Sequence, residues 1–131
     1  VHWVVDGMNL IGSRPDGWWR DRPGARRRLV GRLALLVGGD TRVTVVFDGR
    51  PAPGEIEDAG LRGVEARFAP GGPNAADRAI VALVAGLGDL THVTVVSSDA
   101  ALVRDLRSLG AAVEGVRAFG DRLDAGAGGA G

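Results

Sequence analysis

Four aspartates sit where chemistry would place them. Asp6 closes the run HWVVD, Asp48 closes RVTVVFD, Asp99 follows HVTVVSS, and Asp77 stands early in PNAADRAIVALV. The three β-branched runs are nearly continuous apolar stretches, the pattern of parallel strands buried on both faces. Each therefore carries an acid at or just past its C-terminal end, the edge at which an open parallel sheet forms its ligand crevice. An unpartnered carboxylate buried there would cost several kcal/mol, and a divalent cation is the simplest compensation. Oxygen-only ligands suit Mg²⁺ or Mn²⁺. Each aspartate alone also has an ordinary explanation. Asp99 in SSDAALVRDL fits a helix N-cap, and Asp48-Gly49 is a common turn dipeptide. Their coincidence on one edge is what argues for a site.

The surroundings of Asp6 and Asp77 add detail. In Asp6-Gly7-Met8-Asn9 the glycine allows close backbone approach, and Asn9 can bond a ligating carboxylate or a phosphate oxygen. Asp77 lies in the first turn of its helix, where the dipole favours an anion. Ser97 and Ser98, at the end of their strand, can hydrogen-bond a carboxylate or a substrate phosphate.

Composition narrows the chemistry. There is no cysteine, so disulfides, thiolate zinc sites and thiol nucleophiles are excluded, and two distant histidines make a histidine-rich metal site a poor fit. All 16 basic residues are arginine, which removes the P-loop lysine and every Schiff-base mechanism. The formal net charge is zero, which argues against a pure nucleic-acid-binding module, yet the charge is unevenly spread. Between Arg14 and Arg32 seven arginines face two aspartates, a local balance of +5 beside an acidic remainder. That asymmetry suits a metal-dependent enzyme acting on a polyanion. Arg14, Arg20 and Arg22 fall in the segment after the first strand, and Arg50 and Arg78 stand beside Asp48 and Asp77. Trp18 and Trp19 in the same segment can stack on unpaired bases or pack that segment onto the next helix.

The elements that must position these residues read as β-α-β-(α)-β-α-β-α-β. Strands are expected at His2–Asp6, Arg42–Asp48, Gly63–Phe68, His92–Ser97 and Ala112–Arg117. Helices are expected from Pro23 to Val37, from Asn74 or Ala75 onward, and from Asp99 to Gly110, with a loop and short helix over Pro51–Leu61. The order implies an α/β fold with a parallel sheet and right-handed crossovers. One domain over residues 1–119 suits the length, and 45% hydrophobic residues can fill its core. The low-complexity stretch 120–131 is expected to form a disordered Gly/Ala-rich tail. No apolar run is long enough for a membrane span and no signal peptide is visible, so a cytoplasmic location is expected.

In order and spacing, the motifs VVDGMNLIGSRP, VTVVFDG, AADRAIVALV and VTVVSSD resemble the NYN domains of the YacP-like ribonucleases, within the wider PIN-like fold. The likeness covers roughly residues 3–119. It implies a three-layer α/β/α architecture with about five strands in the order 3-2-1-4-5, placing Asp6 and Asp99 on neighbouring strands. It also implies Asp6, Asp77 and Asp99 as principal metal ligands, with Asn9 orienting the site and Asp48 an outer member. Two departures stand out: Met8 replaces a common aromatic, and Arg78 replaces an acid that often follows the residue matching Asp77.

The expected activity is metal-assisted hydrolysis of single-stranded or unpaired RNA, with RNA as partner and a ribosome or other RNA-processing proteins as candidate company. An RNA-binding or regulatory module with little or no catalysis is the alternative from another class. A phosphohydrolase of small nucleotides is a third, disfavoured by the arginine-rich segment and the paired tryptophans.

Overall fold

Five parallel strands build the sheet in the order β3-β2-β1-β4-β5. The computed structural model describes residues 1–129. The strands are β1 His2–Asp6, β2 Arg42–Asp48, β3 Val64–Ala69, β4 Val93–Val96 and β5 Ala112–Glu114. Valine-rich β1, β2 and β4 are covered on both faces, so their side chains must be apolar on both sides; Val4, Val5, Val45, Val95 and Val96 are fully buried. Edge strand β3 instead alternates buried and exposed positions.

Two helical layers cover the sheet. On one side lie α1 Gly7–Gly12, α2 Arg22–Leu33, α3 Glu55–Leu61 and α6 Val116–Gly129; on the other lie α4 Ala75–Gly86 and α5 Ala100–Ser108. Leu29 and Leu33 of α2 meet Val5, Val45 and Phe47 on the first side. Ile80 and Val84 of α4, with Leu102 and Leu106 of α5, meet Val4, Val46 and Val95 on the second. This is the expected α/β/α sandwich.

Several boundaries differ from expectation, and β5 ends at Glu114 because Val116 and Arg117, expected at its end, open helix α6 instead. The first helix of the arginine segment ends at Leu33 and tightens into a 3₁₀ turn over Ala34–Leu36. A six-residue helix, α1, follows β1 directly, where no helix was expected. The largest difference is at the C-terminus. Helix α6 runs through Gly129, across most of the stretch assigned to a disordered tail; residues 130 and 131 of that tail lie outside the described residues. Its physical basis is an apolar stripe at helical spacing, because Val116, Phe119 and Leu123 are all buried in the core. Phe119 packs on Trp3 with ring centres 5.1 Å apart, and Asp124 takes ion pairs from both Arg14 and Arg32. The domain therefore extends beyond residue 119. Among the described residues no helix is long and apolar enough to cross a membrane.

One ion pair inside the first layer was not foreseen. Arg26 donates from Nε and Nη2 to the Glu55 carboxylate at 2.6 and 2.9 Å, joining α2 to α3 in a buried setting. Burial works against the Glu55 charge, but the hydrogen bonds from Arg26 and from the Ala52 N–H outweigh it and hold the carboxyl below its usual range.

Candidate active site

The parallel register decides which residues meet at the carboxyl edge. Asp6 pairs with Val46 of β2, and Val5 pairs with Val96 of β4, so the Asp6 side chain emerges beside the residues that follow β4. There the Ser97 hydroxyl donates to Asp6 Oδ2 at 2.8 Å and accepts the Asp99 N–H at 3.1 Å. One buried hydroxyl thus ties the end of β1 to the start of α5. Asp99 caps α5, its Oδ1 accepting the Leu102 N–H at 3.0 Å.

Helix α1 leaves Asp6 at once, and Gly7 is why it can. A Cβ at Gly7 would lie 2.5 Å from the Phe47 ring, so only glycine lets the helix start against β2. The tight start aims the Asn9 N–H at the Asp6 carboxylate. It also lets Asn9 Oδ1 accept the Ser98 N–H at 2.9 Å. The Ser98 hydroxyl in turn accepts the Val116 N–H at the start of α6. Asn9, Ser97 and Ser98 are therefore wired into the edge.

Asp48 plays a part that sequence alone left open between turn residue and outer site member. Its Oδ1 accepts the Ala76 N–H at 3.0 Å, so β2 caps α4 across space. That contact sets the first turn of α4, and with it Asp77. The left-handed N-cap residue, Asn74, makes no side-chain cap of its own.

Asp6 and Asp77 both feel neighbouring carboxylates. Burial, with smaller contributions from Asp77 and Asp48, pushes the Asp6 carboxyl up to about 6 against the lowering effect of the Ser97 and Asn9 hydrogen bonds. Burial, then Asp99, then Asp48, also raises Asp77, while Arg78 beside it works the other way. Asp77 is thus the electrostatic hub of the group. This stored repulsion is what a hard divalent cation relieves, and the all-oxygen donor set matches Mg²⁺ or Mn²⁺ in chemistry. Among the described residues, however, no three carboxylate or histidine side chains stand close enough, as oriented, to enclose an ion. Two of the four, Asp48 and Asp99, are occupied as helix caps.

The expected substrate-binding residues divide. Arg50 and Arg78 are exposed at this edge, Arg78 donating to the Pro73 carbonyl at 3.3 Å. Arg20 and Arg22 lie over the rings of Trp19 and Trp18. Trp18 is half-buried against the core, whereas Trp19 is 53% exposed and meets it edge-on. Arg14 turns away to Asp124, 2.7 Å off, and serves the α1–α6 contact.

A family model described as the YacP-like NYN domain matches residues 3–127, a range that takes in most of α6. Among solved structures the chain is similar to Rae1 (YacP) from Bacillus subtilis, with a TM-score of 0.76 and 25% identity, over 96% of this chain and 75% of that one. A tryptophan-to-leucine mutant of the same protein matches with a TM-score of 0.75 and 24% identity, over 95% of this chain and 76% of that one. No curated protein matches the chain.

Proposed function

As the chain belongs to the YacP-like NYN domain family, we propose that it is a metal-dependent ribonuclease hydrolysing phosphodiester bonds of single-stranded or unpaired RNA in the cytoplasm. The observation that carries this reading is Asp6: a carboxylate 4% exposed at the carboxyl edge of the sheet, its pKa raised to about 6, with Asp77 and Asp48 near enough to push it up and Asp99 tied to it through Ser97. A buried acid without a cationic partner is costly to the fold, and its persistence is best explained by a ligand that repays the cost. Asp6, Asp77 and Asp99 are the residues proposed to hold Mg²⁺ or Mn²⁺, with Asp48 in support. When held there, such an ion would supply an acidified water and charge stabilisation at the leaving oxygen.

The chain's own residues have definable tasks. The Ser97 hydroxyl holds the Asp6 carboxylate in one orientation. Asp48 positions Asp77 by capping α4. Arg50 and Arg78 offer guanidinium groups to phosphates approaching the edge, and Trp19, with Arg20 and Arg22, offers an exposed ring to an unpaired base.

A second reading, an RNA-binding or regulatory module with little catalysis, is favoured by two observations. Among the described residues no three carboxylates are gathered as oriented, and a cation, Arg78, follows Asp77. Labelled single-stranded RNA incubated with the purified protein separates the readings. Cleavage in Mn²⁺, lost with chelator and in Asp6→Asn and Asp99→Asn, is the expected result. Binding without cleavage selects the second reading, and metal-independent cleavage sinks the first.

A further inference from the structure

A groove of about 420 Å³ opens between α4 and α5 and shares Asp77 with the candidate site. Val81, Ala82, Ala101 and Leu102 contribute its apolar surface, and Asn74, Arg78 and Asp105 its polar groups. We infer that this groove receives one unpaired nucleobase of the RNA, next to the scissile phosphate, and that Asp105 makes it prefer guanine.

Three observations lead there. The first is continuity, since a nucleotide whose phosphate lies at Asp77 has its base within reach of the groove that Asp77 also lines. The second is surface chemistry. Two alanines and a valine leave an apolar patch low enough for a flat ring, and Arg78 presents a cation for the adjoining phosphate. The third is Asn74, whose φ of 62° is the one positive value at a non-glycine residue among the described residues. Asparagine tolerates left-handed backbone better than other non-glycine residues, so this turn costs little here and sets Asn74 at the mouth of the groove it lines. Because Asp48 performs the capping of α4, the Asn74 amide makes no cap bond. It is left to offer a donor and an acceptor at the groove.

The preference follows from hydrogen-bond inventories. Asp105 is exposed, and among the described residues it joins no ion pair. An ionised carboxylate only accepts, and its two oxygens match two adjacent N–H donors. Guanine presents that pair on its Watson–Crick edge. Uracil presents one N–H flanked by carbonyl oxygens that a carboxylate repels, and adenine and cytosine set their amino group beside an acceptor nitrogen.

The inference rests on RNA being the substrate at the neighbouring aspartates, but its test does not need cleavage. Methyl NMR of the full chain, titrated separately with guanosine and uridine 5′-monophosphates, reads the groove directly. The methyl signals of Val81, Ala82, Ala101 and Leu102 are expected to shift, with guanosine monophosphate bound about tenfold more tightly than uridine monophosphate. Asp105→Asn, on an exposed position, is expected to remove that preference while the fold persists. Shifts confined to another surface, no binding, equal affinities, or a preference retained in Asp105→Asn would each overturn it. If the groove behaves as expected but no RNA is cleaved, the ribonuclease reading fails and the base site stands.

Discussion

Replacing Asp6 by asparagine should make the metal-free protein more stable at neutral pH. An aspartate held at about 6 in the folded chain, against 3.8 for the free side chain, is harder to ionise folded than unfolded. The sign follows from linkage. Below pH 3.8 the group is neutral in both states and costs nothing; between 3.8 and about 6 the unfolded chain ionises first and stability falls. Above about 6 the full penalty, about 3 kcal/mol at ~1.4 kcal/mol per tenfold change in acidity, is in place. Asparagine keeps an oxygen for the Ser97 hydroxyl but faces the Asn9 N–H with a donor, so part of the gain is lost. The net expectation is a stabilisation of about 1–3 kcal/mol at pH 7.5 that shrinks to near zero by pH 4. Urea unfolding of both proteins in chelator at the two pH values measures it. A variant no more stable than the parent at pH 7.5, or one whose advantage is unchanged at pH 4, would refute the electrostatic account of Asp6.

Three further outcomes follow from particular contacts. Arg26→Ala leaves the Glu55 carboxylate buried with only the Ala52 N–H, and should cost about 3–5 kcal/mol in urea unfolding; a loss under about 1 kcal/mol would mean that the pair is idle. Ser97→Ala removes a hydrogen bond that favours the charged form of Asp6, so carboxyl NMR should find Asp6 ionising at still higher pH; an unchanged or lower midpoint contradicts the relay. Trp19→Ala should weaken single-stranded RNA binding by about 1–3 kcal/mol with folding stability nearly intact. Trp18→Ala should instead destabilise the fold by about 2 kcal/mol, and the opposite pattern would reverse their assigned roles.

What could be read in advance follows from which signals are local. The strands β1, β2 and β4 announce themselves because burial on both faces demands apolar residues at every position. The strand order agrees with the one implied by the family resemblance, which hydropathy could not have supplied. Helix α1 escaped notice because six residues, beginning with a glycine at a close approach to Phe47, carry too little periodicity. Helix α6 was legible and was masked by composition: the spacing of Val116, Phe119 and Leu123 is a helical stripe inside a glycine- and alanine-rich stretch. Around the site, Asp6, Asp77 and Asp99 could be nominated from strand ends and helix starts. The cap that Asp48 gives to Ala76, 28 residues on, could not, because it depends on how β2 and α4 dock. The Arg26–Glu55 pair is hidden for the same reason, one partner lying in an arginine run and the other in an acidic helix start.

The central claim is that the aspartates at the sheet edge form one divalent-cation site on which RNA hydrolysis depends. Mn²⁺ binding followed by electron paramagnetic resonance, in the parent chain and in Asp6→Asn, tests it most directly. Saturable binding by the parent, weakened tenfold or more by the substitution (about 1.4 kcal/mol or more), is the predicted result. Equal Mn²⁺ affinity in the two proteins, or no specific binding by the parent, would contradict the claim.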